Sequence, residues 1–260
     1  MKAIELNRYL NSQIKDLREK TVDRVIYGDP NAEVKEIAVA WMPYRKTIEE
    51  AKALGANLLV VHEPTFYDHW DLDGNLADIP ETEAKKKFID ESGITIIRCH
   101  DVWDAFPEIG IPYAWGNFLD LGEPVKSIRF YNLYEIPEQP AAAFAQKVAA
   151  KTATLGQPSV GFYGNPDRTV KTVGLGTGCI SNPFKIYELG ADLAISVDDV
   201  VRAWVAGEWC QDAGNPLLVV NHCVSEDPGM ATLTGYLKEI LPDIPVTHIR
   251  QKCTYTPVMP

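Results

Sequence analysis

Three of the five histidines in this chain stand directly after short apolar runs. His62 and Glu63 follow Asn57-Leu-Leu-Val-Val61, and His222 follows Pro216-Leu-Leu-Val-Val-Asn221, with Glu226 four residues on. His100 and Asp101 follow Ile94-Thr-Ile-Ile-Arg-Cys99, with Asp104 just beyond, and Asp198 and Asp199 end the run Asp192-Leu-Ala-Ile-Ser-Val197. Imidazole nitrogen with carboxylate oxygen is the ligand set of zinc, iron, manganese and similar divalent ions. A carboxylate can bridge two ions, and ion pairs about 3.5–4 Å apart recur in hydrolytic sites. A lone histidine after a strand ordinarily makes loop hydrogen bonds, which is the simpler reading of His100 taken singly. His69 and His248 read as surface or structural histidines.

A second candidate is the glycine turn Gly174-Leu-Gly-Thr-Gly178, with Asp198 about 20 residues on, where a dinucleotide ribose is held. Its third glycine falls at the wrong spacing and Pro183 opens the next helix, so a tight turn with close backbone packing is preferred. The aromatics Phe66, Tyr67, Trp70, Trp103 and Phe106 read mainly as core or lobe contacts, some of them able to wall a pocket. The chain has no G-x-S-x-G elbow, no P-loop lysine and no H-E-x-x-H, since Pro64 follows Glu63. In the segment Ser225-Glu-Asp-Pro-Gly229, capping accounts for Asp227 and leaves Glu226 available.

These residues need strands and helices to hold them. Apolar runs at 36–41, 57–61, 94–99, 130–136, 170–175, 192–197, 216–221 and 245–250 predict strands. Helical spacing predicts helices over 3–20, 47–54 (Thr47 capping, Gly55 closing), 81–92, 140–151, 183–189, 200–207 and 228–241. The alternation predicts an α/β protein of two similar lobes, 1–125 and 126–260, with mostly parallel or mixed sheets. The segments Gly55-Ala-Asn-Leu and Gly190-Ala-Asp-Leu, each opening a strand, hint at two related lobes. In open α/β sheets ligands gather beyond the C-terminal strand ends, where the histidines stand.

Lys and Arg number 25 against 36 Asp and Glu, a net charge of −11, which opposes a nucleic-acid surface and suits cations. No apolar stretch reaches the roughly 18–20 residues of a membrane span, and the polar N-terminus does not read as a signal peptide. The five cysteines are scattered without a C-x-x-C pair, which argues against a disulfide framework and makes the cytoplasm the default compartment.

Across almost the whole chain the pattern resembles the Nif-three-like dinuclear metal family, often labelled GTP cyclohydrolase I type 2. The resemblance rests on 47–66 (TIEEAKALGANLLVVHEPTF), 99–105 (CHDVWDA), 174–179 (GLGTGC), 190–196 (GADLAIS), 221–226 (NHCVSE) and 229–237 (GMATLTGYL). It implies metal ligands at His62, position 63, Asp104, His222 and Glu226, with Glu226 bridging two ions. It also implies two lobes around a central cleft and a ring-shaped homo-hexamer. The chain departs from the family at Glu63, where the family has a second histidine, and at Ser196-Val197-Asp198, where it has Thr-Gly-Glu. A carboxylate at 63 hardens the site and tilts it toward manganese, iron or magnesium relative to zinc, or leaves one position weakly filled.

The expectation is a metal-dependent hydrolase of a small substrate, for which only the family label suggests a nucleotide, using two divalent ions (Mn, Fe, Zn or Mg), with His100 or Asp198 as a supporting or proton-transfer group. The alternatives are a non-enzymatic metal-binding or scaffold protein and a dinucleotide-binding oxidoreductase using the glycine turn.

Overall fold

The structure, a computed structural model, describes residues 1–17, 19–256 and 258. The chain divides into two compact units, one of Met1–Phe106 and Met230–Arg250, the other of Pro107–Gly229 and the described residues from Gln251 on. Through residue 106 it forms α1 (Ala3–Ser12), β1 (Val25–Tyr27), β2 (Ile37–Ala40), α2 (Arg45–Ala53), β3 (Leu58–Val61), α3 (Pro80–Ser92), β4 (Thr95–Arg98) and α4 (Asp101–Ala105). There follow α5 (Ile111–Phe118), β5 (Lys126–Ile128), β6 (Tyr131–Pro140), α6 (Ala141–Ala153), β7 (Gly161–Tyr163), β8 (Thr169–Gly176), α7 (Pro183–Glu188), β9 (Leu193–Val197), α8 (Glu208–Ala213), β10 (Leu217–Val220), α9 (His222–Ile240) and β11 (Val246–His248).

The first unit holds a five-stranded sheet in the order β1-β4-β3-β2-β11. All its strands are parallel except β1, which pairs antiparallel with β4 at the edge. Every residue of β2, β3 and β4 is buried, as a sheet covered on both faces demands. Ile48 and Ala51 of α2 and Ile89 of α3 pack in one cluster with Leu59, Val61 and Ile96. Val61 pairs with Arg98, so residues 62 and 99–100 leave the sheet from adjacent strands at the same end. That register puts them about one strand spacing, ~4.8 Å, apart.

The second unit holds a six-stranded mixed sheet, β5-β6-β8-β9-β10-β7, in which β8, β9 and β10 are parallel. Phe144 and Val148 of α6 cluster with Val173, Leu175, Ile195 and Leu218. Val197 pairs with Val220, so Asp198 and Asn221-His222 also leave neighbouring strands together.

Some elements differ from the sequence expectation. Of the helix over 3–20 only Ala3–Ser12 forms, and residue 18 lies outside the described residues. Ser12 Oγ and Gln13 Nε2 donate to the Tyr9 carbonyl at 2.7 and 3.1 Å, local bonds that compete with helix continuation. Helix α2 starts a turn early, so Thr47 is a buried interior residue rather than the cap, while Gly55 (φ 87°) does end it. Residues 203–207 form a π-helical turn leading into α8.

The largest change is at α9, which begins at His222 and carries Pro228 inside it. Its first N–H is met from outside the helix: His222 N donates to Asp198 Oδ1 at 3.0 Å. The cap is therefore supplied by the end of β9, and Ser225, buried within the helix, donates to the His222 carbonyl at 2.7 Å. The compact units also assign 107–125 and 230–250 differently from a single cut at 125: the chain returns after α9 to add β11 beside β2.

Candidate metal centre

In the first unit the ends of β3 and β4 bring His62, Glu63, His100 and Asp104 together. His62, His100 and Asp104 each offer a ligand atom, and the three atoms lie within 4.8 Å of one another. His62 is wholly buried, and its Nδ1 lies 3.2 Å from the Cys99 carbonyl. A carbonyl only accepts, so Nδ1 carries a proton, and Nε2 faces Asp104 Oδ1 at 3.6 Å. A histidine held through one nitrogen by a carbonyl, with the other aimed at a carboxylate, is how a metal-binding imidazole is oriented.

His100 stacks on His62, ring centres 4.5 Å apart, with Nδ1 at 3.0 Å from Asp101 Oδ1 and 3.6 Å from Asp104 Oδ2. Its Nε2 lies 3.9 Å from Glu63 Oε1. His69, read as ordinary from sequence, packs edge-on to His100 at 5.4 Å, and burial, Arg98 and His100 lower its pKa.

Two buried charged groups hold this cluster, and neither stands out in the sequence. Arg98, fully buried, donates Nε to the His62 carbonyl at 2.8 Å and Nη1 to the His69 carbonyl at 2.5 Å. It pairs with Glu63 Oε2 and Asp71 Oδ2, each at 3.4 Å. Asp23 accepts from the backbone N–H groups of His100, Asp101 and Val102 at 2.7, 3.0 and 2.7 Å, capping α4 from a distant segment. Burial raises the Asp23 pKa, although His100 and these bonds oppose the shift. A pattern search finds neither, because each acts across dozens of residues.

In the second unit His222 and Glu226 lie one turn apart on α9, with Nε2 to Oε2 at 3.1 Å. The glycine turn lies against them: a Cβ on Gly178 (φ 32°) would run into His222 Nε2 and Glu226 Oε1. The turn is a cradle for these donors, and the glycine's role is close approach. Thr177 Oγ1 donates to Glu226 Oε1 at 3.4 Å. Asp198 accepts from His222 N at 3.0 Å and from Asn221 Nδ2 at 2.9 Å, so it anchors the start of α9. Asp199, not Asp198, meets the ring, with Oδ2 2.7 Å from His222 Nδ1. Burial lowers the His222 pKa, but Glu226 and the Asp199 bond outweigh it, so the pKa stands well above the usual value. The hydrogen bond from His222 lowers that of Asp199.

Buried imidazole and carboxylate donors at the C-terminal strand ends of both units could hold a divalent ion, and the fold is that of a two-lobed α/β protein. The chain belongs to the Duf34/NIF3 (NGG1p interacting factor 3) family, whose model matches residues 1–257. It is similar in fold to a Staphylococcus aureus hypothetical protein, with a TM-score of 0.81 at 15% identity over 100% of this chain and 99% of that one. A Bacillus cereus protein related to NIF3 gives 0.79 at 13% identity, over 99% of each chain. Reduced HcgD from Methanocaldococcus jannaschii gives 0.71 at 18% identity, over 96% of this chain and 98% of that one. No curated protein matches the sequence significantly. No helix among the described residues is long and apolar enough to cross a membrane, and all five cysteines are free thiols.

Proposed function

We propose that this protein binds two divalent metal ions and hydrolyses a small substrate, with nucleotides first among the compounds to screen. The observation carrying the reading is the buried His62 imidazole, its Nδ1 tied to the Cys99 carbonyl and its Nε2 directed at Asp104. His62, Glu63 and Asp104 in one unit, and His222 and Glu226 in the other, are the proposed ligands. When bound, such ions lower the pKa of water toward ~7 and polarise the bond under attack.

The chain's own residues supply the rest. His100, 13% exposed at its side chain and bonded to Asp101, is placed to take and pass a proton at Nε2. Arg98 holds the turn that presents His62 and shares the charge of Glu63, and Asp198 anchors the backbone of His222. With a carboxylate at 63, manganese or iron(II) is favoured over zinc. The homo-hexamer implied by the family resemblance is carried here as part of the proposal, to be checked by light scattering.

The test is elemental analysis of purified and metal-loaded protein beside His62→Ala and His222→Ala, followed by a panel of phosphoesters and cyclic amides. The expected result is ions in the wild type, fewer in each variant, and hydrolysis abolished by chelator. Wild-type protein that stays metal-free after loading overturns the proposal. Metal without hydrolysis across the panel favours the passive metal-binding reading. The oxidoreductase reading has less support, since close packing accounts for the glycines: Gly174 abuts Ile186 and Ala191, and Gly176 abuts Ser181 and Tyr131.

A further inference from the structure

His222 has two ring nitrogens with different surroundings. Nε2 faces Glu226, whereas Nδ1 faces Asp199 at 2.7 Å and the thiol of Cys179 at 3.9 Å. Cys179, Asp199 and His222 each offer one ligand atom, and the three atoms lie within 4.8 Å of one another. The set is half open: the imidazole is buried, while Cys179 is exposed and the Asp199 side chain is 60% exposed. The thiol comes from the glycine turn after β8, the carboxylate from the end of β9 and the imidazole from the start of α9. Three neighbouring parallel strands therefore each contribute one donor, and the chemistry is sulfur, oxygen and nitrogen.

We propose that Cys179 Sγ, the Asp199 carboxylate and His222 Nδ1 form a site for a thiophilic divalent cation, separate from the donors on the Nε2 side. On binding, the thiol loses its proton to solvent and becomes the thiolate ligand. His222 likewise gives up its Nδ1 proton to solvent. With no ion on the Nε2 side the ring keeps its Nε2 proton and donates it to Glu226; with an ion there too it loses that proton and serves both sites as the imidazolate, one nitrogen to each. Three protein donors leave a fourth position for water, the arrangement of an open zinc-type site. The thiolate makes zinc, cobalt or iron(II) the fitting ions and excludes magnesium, which takes oxygen ligands. Hydrolytic activity is not required for this site to exist.

The experiment is anaerobic titration of the metal-free full chain with cobalt(II), read by near-ultraviolet thiolate-to-cobalt charge-transfer absorption and by equilibrium dialysis. The wild type is expected to develop the band, to lose it on adding zinc and to keep it in excess magnesium. Cys179→Ser is expected to lose the band and one cobalt per chain with an unchanged melting temperature, and Asp199→Asn to weaken the band. Cobalt bound without the band overturns this site and leaves the ions of the proposed function in place. A band that survives in Cys179→Ser overturns it in favour of another cysteine. If Asp199→Asn weakens cobalt binding but no band is seen in any form, Asp199 only orients His222, and the site is again overturned. Failure to bind any cobalt removes both this site and the proposed function.

Discussion

The two units solve one problem, holding imidazoles and carboxylates at the ends of parallel strands, in different ways. In the first, the donors are sealed and braced: His62 and Asp104 are buried, Arg98 pins two carbonyls and two carboxylates, and Asp23 caps the helix that carries Asp104. In the second, His222 is buried but meets an exposed carboxylate and an exposed thiol, and the donors are held by Asp198 at the start of α9 and by the turn at Thr177 and Gly178 rather than by a buried cation. A braced cluster has its geometry set by folding. An open one can adjust to its ion. Disturbing the first should therefore be felt as lost stability, and disturbing the second as altered metal binding.

The sharpest challenge to that contrast is Arg98→Ala. It leaves Glu63 and Asp71 without their buried cation and two carbonyls without donors, so a loss of about 3–5 kcal/mol in urea unfolding is expected. A loss under 1 kcal/mol would mean the bracing is not energetic. Asp23→Ala strands three N–H groups at the start of α4 and should cost about 1–3 kcal/mol, with faster amide exchange at His100 to Val102.

For the second unit, Gly178→Ala should cut metal affinity about 10–100-fold by pushing a methyl group against His222 and Glu226, while the fold survives. Isothermal titration with manganese reads this directly. Wild-type affinity would show that the turn does not shape the site.

Lys85 gives a pH test of the braced unit. It is 1% exposed, donates to the Thr65 carbonyl at 2.7 Å, and burial lowers its pKa from 10.5 to about 8. Between those values the unfolded chain holds the proton that the folded chain has lost, so stability from this group rises with pH. Compared with Lys85→Met, the wild type should gain up to about 1.4 kcal/mol per pH unit across that window, and no gain below it. Equal slopes in the two proteins would contradict a desolvated lysine. The smallest effect is expected for Cys179→Ser, within about 0.5 kcal/mol in thermal unfolding, as befits an exposed side chain.

How far the sequence carries the reader is clearest at the strand ends. The runs before His62, His100 and His222 are strands as their apolar continuity predicts, because a strand buried on both faces is mostly apolar, with Arg98 of β4 the buried exception that braces the cluster. The two-lobed α/β architecture was legible for the same reason. Misreadings arose where a group is satisfied from far along the chain. Ser225 and Asp227 looked like caps because capping is usually local, yet Asp198 caps α9 from the neighbouring strand end. Pro228 looked like a helix start because proline suits the first turn, yet it lies within α9.

The amino-acid sequence by itself determined the α/β alternation, the family and the kinds of donor atoms, since hydrophobic period and residue chemistry are local properties. Only the tertiary structure decided which acid meets which imidazole: Asp199 rather than Asp198 on His222, Asp104 on His62, and Cys179 beside Asp199. Those choices depend on strand register and on how turns fold back across sheet ends, and contacts between residues dozens of positions apart leave no periodic mark in the chain.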